Sequence, residues 1–551
     1  MIQPHDWTPV GGLQLEPNAL KAVKETTTNV VVMAGPGTGK TELLAQRADF
    51  LFRTGASSYP KRILAISFKV DAARNLQSRV RLRSGSQFAA RFDSFTFHAF
   101  AKRLIDNFRP VLTGADALNA DYRIDENEKI LHTQITFNDL VPLALTILKK
   151  SAYARGALRQ TYSHVFMDEF QDATADQYNL LKSAFTDTGV QLTGVGDTKQ
   201  RIMGFAGALE GVMADFATDF SATTLQLYQN FRSKPQLRRM QNRMIREMEP
   251  TAAIPAAQIL GKGGVVRVFR FHDDEEEAAA VTNMIGHWLS QGVPPSEIAV
   301  IVRQQPHLIA GLLGKHFTAD GIPFRNDQQS QNLTAEPAAA LILNFLYVVA
   351  DDGRPDEYST LMHMVSRGAS DKTDGVQESK LRTFLSEVRA EIRTTGFDAS
   401  NYSSWRLLIN RFLEFITRPA LIALSPSYHH GQRLNDVIDE ISNAFKRELT
   451  VDGSPVAGLN RLSENNAVRI LTIHKCKGLE FEKVITLGVE TQFYRGSIET
   501  VRSEYFVAIS RAKDELVLTA THHRPKPDGA NLYWKEKSTP YKELLEYAAG
   551  L

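Results

Sequence analysis

Lys40 and Thr41 follow a loop of small residues, Gly35-Pro36-Gly37-Thr38-Gly39, fed by the apolar run Val30-Val31-Val32-Met33-Ala34. A buried strand opening into glycines lets successive backbone N–H groups converge on an anion, and the helix expected to start near Lys40 adds the positive end of its dipole. In that setting the Lys40 ammonium reaches the β- and γ-phosphates of a triphosphate, and the Thr41 hydroxyl ligates Mg²⁺. A glycine-rich turn without nucleotide is the bland alternative, and the flanking strand and helix patterns disfavour it. The first glycine of the usual pattern is Ala34 here.

A second set of chemical groups ends another apolar run, His164-Val165-Phe166-Met167-Asp168-Glu169-Phe170-Gln171-Asp172. A strand that delivers two carboxylates to its carboxyl end places them where ligands sit in open α/β sheets. Asp168 suits Mg²⁺, and Glu169 is placed to orient and deprotonate a water attacking the γ-phosphate. An acidic turn after a strand is common, so this pair gains meaning only beside the phosphate loop.

The elements that must position these groups are strand-like runs at Val30–Met33, Arg62–Ser67, His164–Met167 and Gln191–Val195, alternating with helical patterns. That alternation predicts a parallel sheet with helices on both faces. Residues 108–160 lack comparable strand runs and read as a mainly helical insertion. A second α/β signature begins near Thr224, with strands at Val265–Phe271 and Glu297–Val302, and returns at Val468–Ile473, Lys483–Leu487 and Leu516–Thr519. Amphipathic helices at Ala338–Val349 and Glu378–Ile392 lie between. The expectation is a first core at 1–107 and 161–223 with insertion 108–160, and a second core at 224–336 and 456–551 with insertion 337–455.

A length of 551 residues exceeds one hydrophobic core, and 43% hydrophobic with 23% charged residues is an ordinary globular balance. The net charge of +2 requires any nucleic-acid surface to come from local clustering. One cysteine, Cys476, excludes an intrachain disulfide and any four-cysteine metal site. With no signal-peptide pattern and no long apolar run, the chain is expected to be cytoplasmic with no membrane partner.

Further runs follow in order: Gly196-Asp197-Thr198-Lys199-Gln200, Asn230-Phe231-Arg232-Ser233, Thr472-Ile473-His474-Lys475-Cys476-Lys477-Gly478-Leu479-Glu480-Phe481 and Val507-Ala508-Ile509-Ser510-Arg511-Ala512. With the phosphate loop and the Asp168–Asp172 run they make six ordered motifs. Together these resemble the superfamily 1A helicases of the UvrD/Rep/PcrA type. The resemblance implies two RecA-like cores with helical insertions, ATP and Mg²⁺ as cofactors, and single-stranded or partly duplex DNA as partner. It implies that Gln200 senses the γ-phosphate, that Arg232 and Arg511 clasp it from the second core, and that Glu480 lies near the ribose. Phe231 stands where the family has a tyrosine stacked on adenine. Phe68, Phe97, His98, Phe205 and His474 match positions that line the strand path; each aromatic is otherwise an ordinary core residue. Stacking on such rings is worth roughly 1–3 kcal/mol per base.

The chain departs from the family at several places. The glutamine that reads adenine aligns with Ala19, with Asn18 and Gln14 nearby as possible substitutes. On the strand side, Met203 replaces a tyrosine, Ala206 an arginine, and Lys69-Val70-Asp71 a Thr-Asn-Lys run. The ATPase residues are intact while strand-contacting ones are altered. The stretch after Arg511 is too short for the nuclease domain of some larger relatives, so if the chain works with a nuclease, that nuclease is expected on another chain. The leading reading is an ATP-driven translocase or helicase, expected to move 3′ to 5′. The alternative is an ATPase subunit, responsive to nucleotide or DNA, that regulates a partner nuclease or a repair or phage-defence complex. A P-loop GTPase or kinase is disfavoured by the distal arginines, and RNA in place of DNA stays open.

Overall fold

The valine run ahead of the phosphate loop forms β1 (Val30–Ala34), and Arg62–Ser67 and Phe92–Thr96 form β2 and β3. The computed structural model describes residues 2–550 except 69, 126–127, 204–206, 327–332, 334–335, 367–373, 395, 426–427, 429–432, 463–466 and 531–533. After β3 the chain leaves the sheet, makes a short parallel pair β4 (Arg123–Asp125) and β5 (Gln134–Thr136), and runs through helices Phe137–Lys150 and Ala152–Thr161. It returns as β6 (Tyr162–Met167), β7 (Gln191–Gly196) and β8 (Thr223–Leu227). These strands make one sheet of order β3-β2-β6-β7-β1-β8, parallel at every pairing.

Because strand side chains alternate between faces, β1 feeds two separate apolar clusters. Val31 joins Leu64, Ile66, Val165 and Met167 on one face, whereas Val30 and Val32 join Ile63, Ala65 and Phe166 on the other. The first cluster continues into Leu140, Ala144, Ile147, Leu148 and Leu158, so the inserted helices rest directly on the sheet. Burial on both faces is why the strands read as continuous apolar runs.

The second sheet contains β9 (Val265–Phe271), β10 (Ile298–Val302), β11 (Phe324–Asn326), β12 (Val468–Thr472), β13 (Phe481–Thr486) and β14 (Ala512–Thr521). Its order is β11-β12-β10-β13-β14-β9, again all parallel. Helices from Pro337–Ala350 to Pro455–Leu462 are inserted between β11 and β12 and hold their own apolar cluster around Trp405, Phe345 and Phe412. The chain forms the expected class of two parallel-sheet α/β cores, each interrupted by an insertion.

Two details correct the sequence reading. The sequence reading begins the second core at Thr224, but β8 pairs with β1 at the edge of the first sheet, so that sheet extends through Leu227. Its Thr and Gln side chains reflect an edge strand rather than a new unit. The first insertion is helical only in its second half; the described residues between 109 and 136 are short turns and the β4–β5 pair. Among the described residues, no helix is long and apolar enough to cross a membrane.

Candidate functional site at the junction of the two sheets

β6, β7, β1 and β8 are neighbours, and their carboxyl ends carry Asp168, the Asp197–Gln200 turn, the phosphate loop and Asn230–Arg232. In the loop, Gly37 (φ +72°) and Gly39 (φ +81°) adopt the left-handed conformation that favours glycine, and the helix Lys40–Arg53 starts immediately after. The loop is tied by Thr38 Oγ1, which donates to the Gly35 carbonyl at 2.9 Å. A side chain at Gly37 would collide with Asn230 and lie 2.6 Å from Arg232 Cβ, so glycine there also admits the neighbouring loop. Pro36 is buried behind it. Lys40 Nζ donates to the Ala34 carbonyl at 3.2 Å and lies 3.7 Å from Glu169 Oε1.

Asp168 is buried, and its Oδ1 accepts from the Glu169 backbone N–H at 3.0 Å. Burial raises the Asp168 pKa, and the adjacent Glu169 charge adds to this. Burial works against the Glu169 charge too, but Lys40, Lys477, a hydrogen bond from Gln171 and Arg511 outweigh it and keep the carboxyl low. Of the two carboxylates, Glu169 is therefore the one held ionised, the state a general base requires. Its backbone sits at φ +53°, a strained conformation for a non-glycine residue.

Further positive charge comes from the second sheet and from the loop after β8. Arg511 is 2% exposed; its Nε donates to the Val507 carbonyl at 2.9 Å, and its Nη2 donates to Gln200 Oε1 and to Ser510 Oγ, both at 2.8 Å. Burial pushes its pKa down to about 10, with the like charge of Arg232 contributing. Gln200 in turn donates to Asp197 Oδ2 at 2.8 Å. Arg232 donates from Nε to Glu480 Oε2 at 2.7 Å and from Nη1 to the Ser510 carbonyl at 3.2 Å. Lys40, Asp168, Glu169 and Gln200 thus face Arg232, Glu480 and Arg511 across one junction.

Thr41 and Asp168 offer hard oxygen donors suited to Mg²⁺. Among the described residues, no group of three or more His, Cys, Asp or Glu could hold a metal on its own. A cation bound there must complete its shell with phosphate oxygens and water, which is how Mg²⁺ is usually held beside a triphosphate.

Beside the loop, Phe231 is 63% exposed while its N–H donates to the Gly37 carbonyl at 2.8 Å, so a large aromatic face stands open next to the phosphate cradle. Tyr228 is also exposed. Ala19 is buried in the helix Pro17–Lys24 and presents nothing to a base, and the Asn18 amide donates to the Gln226 carbonyl at 2.8 Å. Gln14 is exposed.

Several participants were missed in the sequence. Lys477 and Asp172 make a buried ion pair at 2.5 Å across the junction, and Lys477 also donates to the Gln200 carbonyl at 2.5 Å. Gln171 bonds Glu169. Asn230 Oδ1 accepts from the N–H groups of Arg232 and Ser233 at 2.9 and 3.0 Å. Glu16 accepts from the N–H groups of Tyr228 and Gln229. Membership of the motif runs was a signal for Lys477, Asp172, Gln171 and Asn230; nothing marked Glu16.

The strand-side candidates are less uniform. Ser67 and Thr96 are register partners in β2 and β3, so Phe68 and the Phe97–His98 pair emerge side by side. Phe68 and His98 are half-buried, and His98 packs edge-on against Phe137 with centroids 6.4 Å apart. Burial lowers the His98 pKa. Phe97 corrects the sequence reading: it is 4% exposed in the apolar cluster, because the helix Phe97–Phe108 turns that position into the core. His474 is half-buried, with Nε2 3.9 Å from Glu504. Phe205 and Ala206, with Lys69, lie outside the described residues.

The family model for the UvrD/REP helicase N-terminal domain matches residues 15–134 and 113–221, and that for the UvrD-like helicase C-terminal domain matches 225–373 and 456–523. DNA helicase II of Escherichia coli is 22% identical over 94% of this chain and 85% of its own length. The ATP-dependent DNA helicase PcrA of Staphylococcus epidermidis is 23% identical over 91% and 82%. The Gabija protein GajB of Bacillus cereus is 24% identical over 89% and 92%.

Proposed function

The chain belongs to the UvrD/REP helicase family, and from that premise we propose that it is an ATP-driven motor on single-stranded DNA, moving 3′ to 5′ and separating duplexes in the cytoplasm. ATP binds with its phosphates in the loop at Gly35–Thr41, its base on Phe231 and its ribose near Glu480. When bound, Mg²⁺ on Thr41 and Asp168 neutralises phosphate charge. Glu169 takes a proton from the attacking water, while Arg232 and Arg511 offset charge on the transferred phosphoryl group. The observation that carries this reading is the direct bond from Arg511 to Gln200, which joins the phosphate-sensing turn of one sheet to an arginine of the other. The strand path runs past Phe68, His98 and His474, with Phe205 as a further contact.

The test is ATP turnover with and without single-stranded DNA. Turnover should rise several-fold with DNA and vanish in Lys40→Ala and Glu169→Gln. Turnover indifferent to every nucleic acid would refute the motor.

A second reading has specific support. The Gabija protein GajB aligns over 92% of its length, and Met203 and Ala206 depart from the strand-contacting pattern. In this reading hydrolysis switches a partner nuclease or a repair or defence assembly, with little unwinding by the chain alone. Strand displacement by the isolated protein separates the two: robust unwinding supports the motor, and DNA-stimulated turnover without unwinding supports the switch.

A further inference from the structure

Gln171 is 1% exposed and uses both ends of its amide. Nε2 donates to Glu169 Oε2 at 2.7 Å, and Oε1 accepts from the Asp197 backbone N–H at 3.0 Å. Asp197 Oδ2 accepts from Gln200 Nε2 at 2.8 Å, and Gln200 Oε1 accepts from Arg511 Nη2 at 2.8 Å. The bonds form an unbroken chain from the proposed base, through two amides and an aspartate, to an arginine of the other sheet. The end of β7 is built around it: a Cβ added at Gly196 would lie 2.5 Å from Gln171 Oε1 and 3.1 Å from Met213. Glu169, at φ +53°, has a backbone geometry that its own chain does not favour. The Gln171 amide, bonded to Asp197 beyond the turn, therefore helps to fix where the Glu169 carboxylate points.

We infer that Gln171 is a positioning residue that orients Glu169 according to the state of the Asp197–Gln200 turn, and so makes the base productive only when Arg511 engages Gln200. This rests on the reading of the site as an ATPase. Energetic coupling along this chain of bonds is read by a double-mutant cycle.

The full-length protein is assayed as wild type, Gln171→Met, Gln171→Glu and Gly196→Ala. Gln171→Met matches the side-chain length and removes both bonds. Gln171→Glu keeps the acceptor for the Asp197 N–H but loses the donor to Glu169. Expected are a fall in kcat for ATP of at least tenfold in all three, ADP affinity by calorimetry within about threefold, and cooperative melting above the assay temperature in each variant. In a double-mutant cycle, adding Gln200→Ala to Gln171→Met should slow turnover little beyond the slower single variant, because both act through one chain. A kcat within twofold of wild type in Gln171→Met and Gln171→Glu overturns the inference. So does a loss that tracks lost ADP binding or melting temperature, or a fully multiplicative cycle. A wild-type protein without turnover sinks the ATPase reading itself; an active wild type with an indifferent Gln171 sinks this inference alone.

Discussion

Arg511 of the second sheet donates its Nη2 to Gln200 Oε1 of the first at 2.8 Å, and both side chains are almost fully buried. An arginine finger contributes about 10³–10⁵ in rate to phosphoryl transfer. Arg511→Ala should therefore lower kcat by about 10³ with a much smaller change in ATP affinity. Steady-state kinetics with equilibrium binding measure the split; equal losses in both would mean that Arg511 serves binding rather than the chemical step.

Base selection should be weak. Ala19 is buried and the Asn18 amide is committed to Gln226, whereas Phe231 offers an open ring. GTP should be hydrolysed with a kcat/KM within about tenfold of that for ATP, since a stacking face accepts either purine. Phe231→Ala should raise KM for both by about tenfold, in line with ~1–3 kcal/mol for base stacking, and Phe231→Tyr should not. Strict preference for ATP, abolished by Gln14→Ala, would assign base reading to Gln14 instead.

The fold near the carboxyl end hangs on a buried ionic triad. Arg524 Nη2 lies 2.6 Å from Glu277 Oε2 and 2.8 Å from Glu490 Oε1, and all three residues are at most 2% exposed. Burial disfavours the Arg524 charge, but the two carboxylates outweigh it and raise its pKa. Arg524→Met leaves two carboxylates without their cation and should cost ~3–5 kcal/mol. Urea unfolding gives the value; a loss under about 1 kcal/mol would show that water reaches the triad.

How far the site was legible in the sequence follows from where its information lies. Lys40, Asp168, Glu169 and Arg511 announce themselves through local runs, because strand, turn and helix start are local matters. The 2.5 Å contact between Lys477 and Asp172 joins two such runs from different sheets, and only the tertiary arrangement pairs them. β3 escaped notice for a related reason. Its Asp93 looks out of place in a strand until Arg62 at 2.9 Å and the Tyr162 hydroxyl at 3.0 Å satisfy it. Phe97 matched a strand-path motif by position, but the face of its helix, invisible in a motif, turns it inward.

Acid should weaken the first sheet through His164. Burial, with the nearby Arg47 charge, drops its pKa to about 3, although the Gln191 hydrogen bond opposes this. The unfolded residue titrates near 6.5, so the folded state carries the neutral ring at a proton deficit. That contribution is intact above about pH 6.5 and is lost as pH falls from there towards 3, at up to ~1.4 kcal/mol per pH unit. Melting temperatures between pH 7 and 5 should fall less steeply in His164→Asn than in wild type. Parallel slopes would show that other groups carry the acid sensitivity.

β8 closes the edge of the first sheet at Leu227, and six residues later Ser233 Oγ and the Lys234 N–H donate to Ala512 and Lys513 carbonyls of the second at 2.8 and 2.9 Å. Within that short span Phe231 grips the phosphate loop and Arg232 reaches Glu480. Among the described strands, the chain passes from one sheet to the other only here. Rotation of the two sheets would bend this peptide, which also carries Phe231 and Arg232, the residues proposed to meet nucleotide. Torque from a bound triphosphate would act at the pivot itself, without a lever arm between the fuel and the joint.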